Sequence, residues 1–268
     1  ADIRRRLSQA RKESQKKGAA HATPFWLVKK EGAGQVALVG PPNSGKSRLV
    51  CALTHARPEV ADFPFTTRAP VPGMMPFEDV QIQLLDLPPV SEEFSAPWLP
   101  QVIRGANFSA LVVDLNDPAV LDEIEYILGK LEQHHVPAPA LLLGNKLDLR
   151  GAEDNFSALQ DLYGGRFRCL AVSAAAGTNL DRFSETAFEL LGIVRVYTKV
   201  PGKPPDLSAP YILRRGETVQ DAARHVHKDI ADHLKFARLF RFSGEHRDGR
   251  MVDRHRVVED RDILEFHT

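Results

Sequence analysis

The 268-residue sequence predicts an α/β domain built on a mostly parallel sheet, followed by a smaller α+β module. Three observations lead there. Short apolar runs alternate with helical stretches from about residue 33 to about residue 192. Those runs are apolar throughout, the pattern of strands covered on both faces. The alternation then stops after Gly192, where short strands surround a single helix.

The chain opens with ADIRRRLSQARKESQKKG (1–18), a charged helical stretch with few apolar positions. Alone it is marginal in water, so it is expected to dock on something. GQVALVG (34–40) is a short apolar strand running straight into glycine and proline. Further strands are expected at VQIQLLDL (80–87), SALVVDL (109–115), PALLLGN (139–145) and FRCLAVS (167–173). Helices are expected at KSRLVCALTHA (46–56), AVLDEIEYILGKLEQ (119–133), NFSALQDLY (155–163) and NLDRFSETAFELLG (179–192). The second module reads as the strands VRVYTKV, PYILRR, ARLFRFS and DILEFH around the helix TVQDAARHVHKDIADHL (218–234). This divides the chain into a basic helical segment (1–31), an α/β domain (32–194) and a C-terminal module (195–268), which is large enough to fold as a domain.

Charge is unevenly spread behind a formal net charge of zero. Residues 1–31 hold nine Lys/Arg against three Asp/Glu, residues 32–194 eleven against twenty, and residues 195–268 fifteen against twelve. Basic ends around an acidic middle suit polyanion contacts or solvated helix faces. No apolar run approaches the roughly 20 residues that span a bilayer, and the charged start does not resemble a signal peptide. Two cysteines make no disulfide framework, so Cys51 and Cys169 are expected as small core residues of a cytoplasmic protein. The chain begins at Ala1 without methionine, and further residues upstream are expected.

GPPNSGKS (40–47) fits G-x-x-x-x-G-K-[ST] with a strand before it and a helix after it. Backbone N–H groups at a helix N-terminus suit the β-phosphate. Lys46 is expected to reach the β- and γ-phosphates and the Ser47 hydroxyl to ligate Mg²⁺. NKLD (145–148) follows the strand PALLLG. Asp148 can accept from the N1 and N2 donors of guanine, a pattern adenine lacks, and so select the base. Asn145 would tie this loop to the phosphate loop, and the Lys146 stem would cover the base. In VSAAAG, the Ser173–Ala174 backbone could meet guanine O6. The expected nucleotide set is Gly40, Pro41, Pro42, Asn43, Ser44, Gly45, Lys46, Ser47, Arg48, Asp86, Asn145, Lys146, Asp148, Ser173, Ala174 and Ala175. Metal ligands are expected at Ser47 and Thr67, with Thr66 close behind, and at Asp86 through water.

With these motifs in order, residues 33–194 resemble the translation-factor-class GTPases of the Obg and developmentally regulated GTP-binding protein group. The resemblance includes the FTT switch (65–67) and the VPG that follows it. The C-terminal part resembles that family's TGS domain, a ubiquitin-like β-grasp module, through RVYTK, TVQDAARHVHKDI, FARLF and EDRDILEF. The basic N-terminal helix matches too. The resemblance implies GTP and GDP binding, slow hydrolysis with Mg²⁺, and a ribosome or RNA partner for the basic helix and the TGS module. Family members from eukaryotes and archaea insert a second domain after the strand equivalent to SALVVDL. Here a single helix separates Leu115 from Leu141, which implies a minimal form.

One motif departs from the family. Its Asp-x-Pro-Gly is Asp86-Leu87-Pro88-Pro89 here. The glycine N–H would donate to the γ-phosphate, and Pro89 has none. The sensor is blunted unless Val90 or Ser91 supplies the donor. Val90 also stands where other GTPases place a water-orienting glutamine. No side-chain general base is visible, so Asn43, Lys46 and Thr67 are the candidate charge stabilisers. Asn43 would hold K⁺ near the β- and γ-phosphates, as in related GTPases, or would only satisfy its own turn. The alternative reading is a guanine-nucleotide-binding adaptor that does not hydrolyse. His225 and His227, two apart on one helix, are expected to face different ways. His134 and His135 end another helix. The Pro-rich KVPGKPP (199–205) reads as a loop.

Overall fold

The computed structural model describes residues 24–54, 69–93, 95–241 and 249–268. The basic helix expected at 1–18 and the FTT segment with Thr66 and Thr67 lie outside the described residues.

The first sheet has six strands in the order β2-β3-β1-β4-β5-β6. They are β1 (Gly34–Val39), β2 (Val71–Phe77), β3 (Val80–Asp86), β4 (Phe108–Asp114), β5 (Leu141–Asn145) and β6 (Arg168–Ala171). All pair in parallel except β2, which runs antiparallel to β3 at the edge. All six residues of β1 are buried, as a strand covered on both faces requires. Helices α2 (Leu99–Gly105), α3 (Val120–Gln133) and α4 (Ala152–Tyr163) cover one face through Val102, Ile124, Leu128 and Leu159. Helices α1 (Lys46–Thr54) and α5 (Leu180–Leu191) cover the other through Leu49, Leu53, Phe183 and Phe188. Between Leu115 and Leu141 the only helix is α3. Residues 24–31 are not helical. They form a strap whose Trp26 and Val28 pack against the first face and whose Phe25 meets Trp98 edge-on at 6.1 Å.

The second sheet has the order β10-β9-β11-β7-β8. Its strands are β7 (Ile193–Lys199), β8 (Pro205–Arg214), β9 (Phe236–Phe240), β10 (Arg250–Val252) and β11 (Asp262–His267). The central pair, β7 with β11, is parallel, and the other pairings are antiparallel. Helices α6 (Val219–Val226) and α7 (Lys228–His233) lie over one face on Val194, Val196, Ala237 and Leu264. Thr218 starts α6 with a reciprocal capping box to Asp221.

Several elements differ from the sequence reading. β2 was not anticipated, because Pro72 and Pro76 weaken a strand pattern everywhere except at a sheet edge. α2 and β10 are too short to show periodicity. The expected helix 218–234 is two helices. His227 takes an extended conformation between them, and its Nδ1 accepts from the Asp229 N–H to cap α7. His225 and His227 therefore do not share one helix. Cys51 and Cys169 are half-buried and not full core residues.

Candidate functional site

The C-terminal ends of β1, β3, β4 and β5 bring the motif residues to one edge of the sheet. Ligands of open α/β sheets bind outside such strand ends. The phosphate loop leaves β1 at Gly40, where an added Cβ would fall 2.1 Å from the Val112 carbonyl oxygen, so only glycine fits. At Gly45 φ is +89° and an added Cβ would fall 2.2 Å from Asn145 Nδ2, so glycine is required twice over. The Ser44 hydroxyl donates to the Pro41 carbonyl at 3.0 Å and closes the turn. The loop then enters α1 at Lys46, which puts a helix N-terminus at its mouth. Asn43 is exposed in the left-handed region, with φ +60°. Pro42 and Arg48 are exposed, as is Ala175.

Lys46 is only 6% exposed. Its ammonium donates to the Gly40 carbonyl at 3.0 Å, the Pro41 carbonyl at 2.9 Å and Ser44 Oγ at 3.3 Å. Burial lowers its pKa from 10.5 to about 8, against the opposing pull of the Asp86 and Glu123 carboxylates. The Ser47 hydroxyl donates to Asp86 Oδ2 at 2.5 Å. Two hard oxygen donors side by side suit a magnesium ion that keeps most of its waters.

The NKLD end of the site is built on Asn145, which is 2% exposed. Its amide donates to the Ser44 carbonyl at 2.9 Å and its carbonyl oxygen accepts from the Ala174 N–H at 3.1 Å. One side chain therefore joins the phosphate loop to the Ser173–Ala174 turn. Asp148 is exposed, and the Ser173 hydroxyl donates to its Oδ1 at 2.5 Å. Lys146 has φ +66°, and its ammonium meets Asp114 Oδ2 at 2.6 Å. Asp114 was missed by the motif search. Its signal was present, since it ends a buried strand at the same sheet edge as Asp86.

The loop after β3 engages one of the two donors that could stand in for Pro89. Pro88 is buried and Pro89 half-buried. Val90 is 5% exposed within the α2–α3 core, and its N–H donates to the Gly40 carbonyl at 3.1 Å. The Val90 donor is thus already engaged on the phosphate loop. Tyr126 of α3 donates to the Ser91 carbonyl at 3.2 Å and holds the loop from the other side.

Fold and motif order together define a P-loop GTPase joined to a TGS domain. Residues 35–146 match the family model described as 50S ribosome-binding GTPase, and residues 194–268 match the TGS domain. The chain is similar over nearly its whole length to GTP-binding proteins, among them developmentally regulated ones. It is 28% identical to an uncharacterised GTP-binding protein of Methanocaldococcus jannaschii over 98% of this chain and 85% of that one. That alignment spans 333 positions, more than the 268 residues here, so the relative carries additional residues. It is 27% identical to developmentally-regulated G-protein 1 of Arabidopsis thaliana over 93% of this chain and 80% of that one. The solved Schizosaccharomyces pombe YchF GTPase shares the fold at a TM-score of 0.63 and 12% identity, covering 89% of this chain and 99% of that one. A GTP-binding protein from Pyrococcus horikoshii does so at 0.62 and 15%, over 87% and 99%.

Proposed function

We propose that the protein is a slow, magnesium-dependent GTP hydrolase that works with the ribosome or with RNA. The observation that carries this reading is the Ser47–Asp86 pair beside the buried ammonium of Lys46, at the mouth of the phosphate loop. Asp148 selects guanine, and Asn145 keeps the base end in register with the phosphate end. Ser47 would hold Mg²⁺ directly and Asp86 through water, with Thr67 or Thr66 to complete the shell. The bound ion supplies neutralising charge at the β- and γ-phosphate oxygens. Lys46 leaves its carbonyl partners for those oxygens. Water then attacks the γ-phosphorus while the β–γ bridging oxygen departs with GDP. With Val90 in place of a glutamine, catalysis rests on positioning and charge neutralisation, and turnover is slow. Asn43 supplies a carbonyl oxygen to K⁺.

We divide the chain at 1–31, 32–194 and 195–268 and place it in the cytoplasm, in keeping with its sparse cysteines. Among the described residues no helix is long and apolar enough to cross a membrane. The basic first segment and the TGS module are the surfaces offered to ribosome or RNA. The description of the matched GTPase model supports the ribosome.

Phosphate release from GTP with Mg²⁺, in matched KCl and NaCl, tests the chemistry. Slow turnover that is faster in KCl, with the gain lost in Asn43→Ala, is expected. Equal rates in both salts would remove the potassium role. Sedimentation with ribosomes across a salt series tests the partner, with binding that weakens steeply as salt rises. A second reading is favoured by the Val90–Gly40 hydrogen bond: an adaptor whose loop is set in advance and which hydrolyses nothing. Tight guanine binding with no phosphate release would select it.

A further inference from the structure

The turn between β2 and β3 is two residues long, Glu78 and Asp79, with Glu78 at φ +50°. It lies at the end of the hairpin away from Asp86. Both carboxylates are gripped by the TGS sheet. Arg195 of β7, with a side chain 4% exposed, bonds Glu78 and reaches Asp79 at 2.7 Å. Its other edge holds Asp260 at 2.6 and 3.1 Å. Tyr197 donates to Asp79, and Arg261 reaches Glu78 at 2.5 Å. The Arg195 guanidinium lies 4.8 Å above the Phe188 ring, which stacks on Phe77 of β2 at 4.9 Å.

The opposite end of the same hairpin lies at the nucleotide site. β3 ends in Asp86, and β2 begins shortly after the segment holding Thr66 and Thr67. β2 also packs closely on the last turn of α1: a Cβ at Gly73 would fall 2.7 Å from Val50 and 2.9 Å from Thr54. The loop after Asp86 is pinned by buried Pro88 and Val90 and by the Val90 N–H on Gly40. Motion at the nucleotide therefore has an easier path through β2, an edge strand that among the described residues pairs only to β3.

We propose that the β2–β3 hairpin is a mechanical link through which the nucleotide site and the TGS sheet read each other, with Arg195 as the grip. The inference rests on the guanine-nucleotide site and not on hydrolysis. Coupling of this kind is reciprocal: nucleotide state sets the hold on the TGS sheet, and a partner on the TGS sheet shifts nucleotide preference.

The test is hydrogen exchange of the β7 and β11 amides in the full chain, loaded with GDP or with a non-hydrolysable GTP analogue. The parent is expected to show a difference of about fivefold or more between the two states. The paired change Glu78→Gln and Asp79→Asn keeps the turn's shape and removes the charges. It is expected to bind both nucleotides and to lose most of that difference. Should that variant fail to bind nucleotide, Tyr197→Phe, which leaves every ionic contact in place, is measured the same way and is expected to reduce the difference. Identical exchange in both states of a nucleotide-loaded parent would overturn the link. So would an undiminished difference in whichever variant is measured. A parent that binds neither nucleotide would remove the nucleotide reading itself, and the link with it.

Discussion

At the scale of single residues, Lys46 and Asp148 make opposite demands on the site. Lys46 is a buried cation whose partners are two carbonyls and a hydroxyl, so burial holds its pKa near 8. Bound phosphates would raise it again, and above about pH 8 binding must therefore take up a proton. Nucleotide affinity is expected to be level below about pH 8 and to fall above it. Titration calorimetry at about pH 8.5 in buffers of different ionisation enthalpy measures that proton. No uptake would mean that Lys46 stays charged in the empty site. Without nucleotide the sign is reversed. Between about 8 and 10.5 the folded chain binds fewer protons at Lys46 than the unfolded chain, so this group's contribution to stability rises with pH. Asp148, by contrast, is exposed and holds the Ser173 hydroxyl on Oδ1. Asp148→Asn should cut GTP affinity and shift preference toward xanthine nucleotides, whose C2 oxygen accepts from the new amide. A competition titration of GTP against XTP checks this, and unchanged GTP affinity would reject the assignment of the base contact.

At the scale of elements, the loop after β3 carries the main departure from its family. Its N–H donor at Val90 faces Gly40 and not open space, and Pro89 has none. Loss of one hydrogen bond to a charged acceptor removes about 1.5–3 kcal/mol, or roughly ten- to a hundredfold in discrimination. GTP and GDP are therefore expected to bind with similar affinity. Pro89→Gly restores an N–H and loop freedom, and should widen the preference for GTP. Titration of both nucleotides against parent and variant decides it, and a strong preference already present in the parent would show that another N–H does the sensing. Elements also set the limit of what the sequence disclosed. The phosphate loop and the NKLD turn were legible because each is a short run of fixed spacing between a strand and a helix, although the contacts that require glycine at 40 and 45, with Val112 and Asn145, are distant in sequence. β2 was hidden because Pro72 and Pro76 are tolerated only at a sheet edge, and edge position is a property of the whole sheet. The break at His227 was hidden because a His side chain capping α7 is indistinguishable, in sequence, from a His continuing α6.

At the scale of the whole molecule, the joint between the two sheets is the feature that sequence could not disclose. Arg195 and Glu78 are 117 positions apart, and nothing local to either marks them as partners. The joint gathers three carboxylates, Glu78, Asp79 and Asp260, around Arg195 and Arg261. Burial alone would lower the Arg195 pKa, but its hydrogen bonds to the three carboxylates outweigh that and hold it raised. Hydrogen bonds from Arg195 and then Arg261 hold the Glu78 carboxyl below its usual range. Burial pushes Asp79 upward, yet its bonds to Tyr197 and Arg195 prevail and it too is lowered. Carboxylates depressed in this way stabilise the fold above their unfolded values of 4.5 and 3.8, and that contribution is lost as pH falls through the lower folded values. Glu78 is 43% exposed, so solvent screens its share, while Asp79 at 25% carries more. Thermal melts from pH ~7 down to ~3 should therefore show a steep acid limb in the parent. Glu78→Gln with Asp79→Asn should start lower at neutral pH and lose less on acidification, so the two curves converge in acid. Parallel curves would mean that the joint adds nothing to stability through charge. The two sheets would then be held by apolar packing, such as that of Ile193 of β7 and Ile212 of β8 in the core around Phe188 and Leu191.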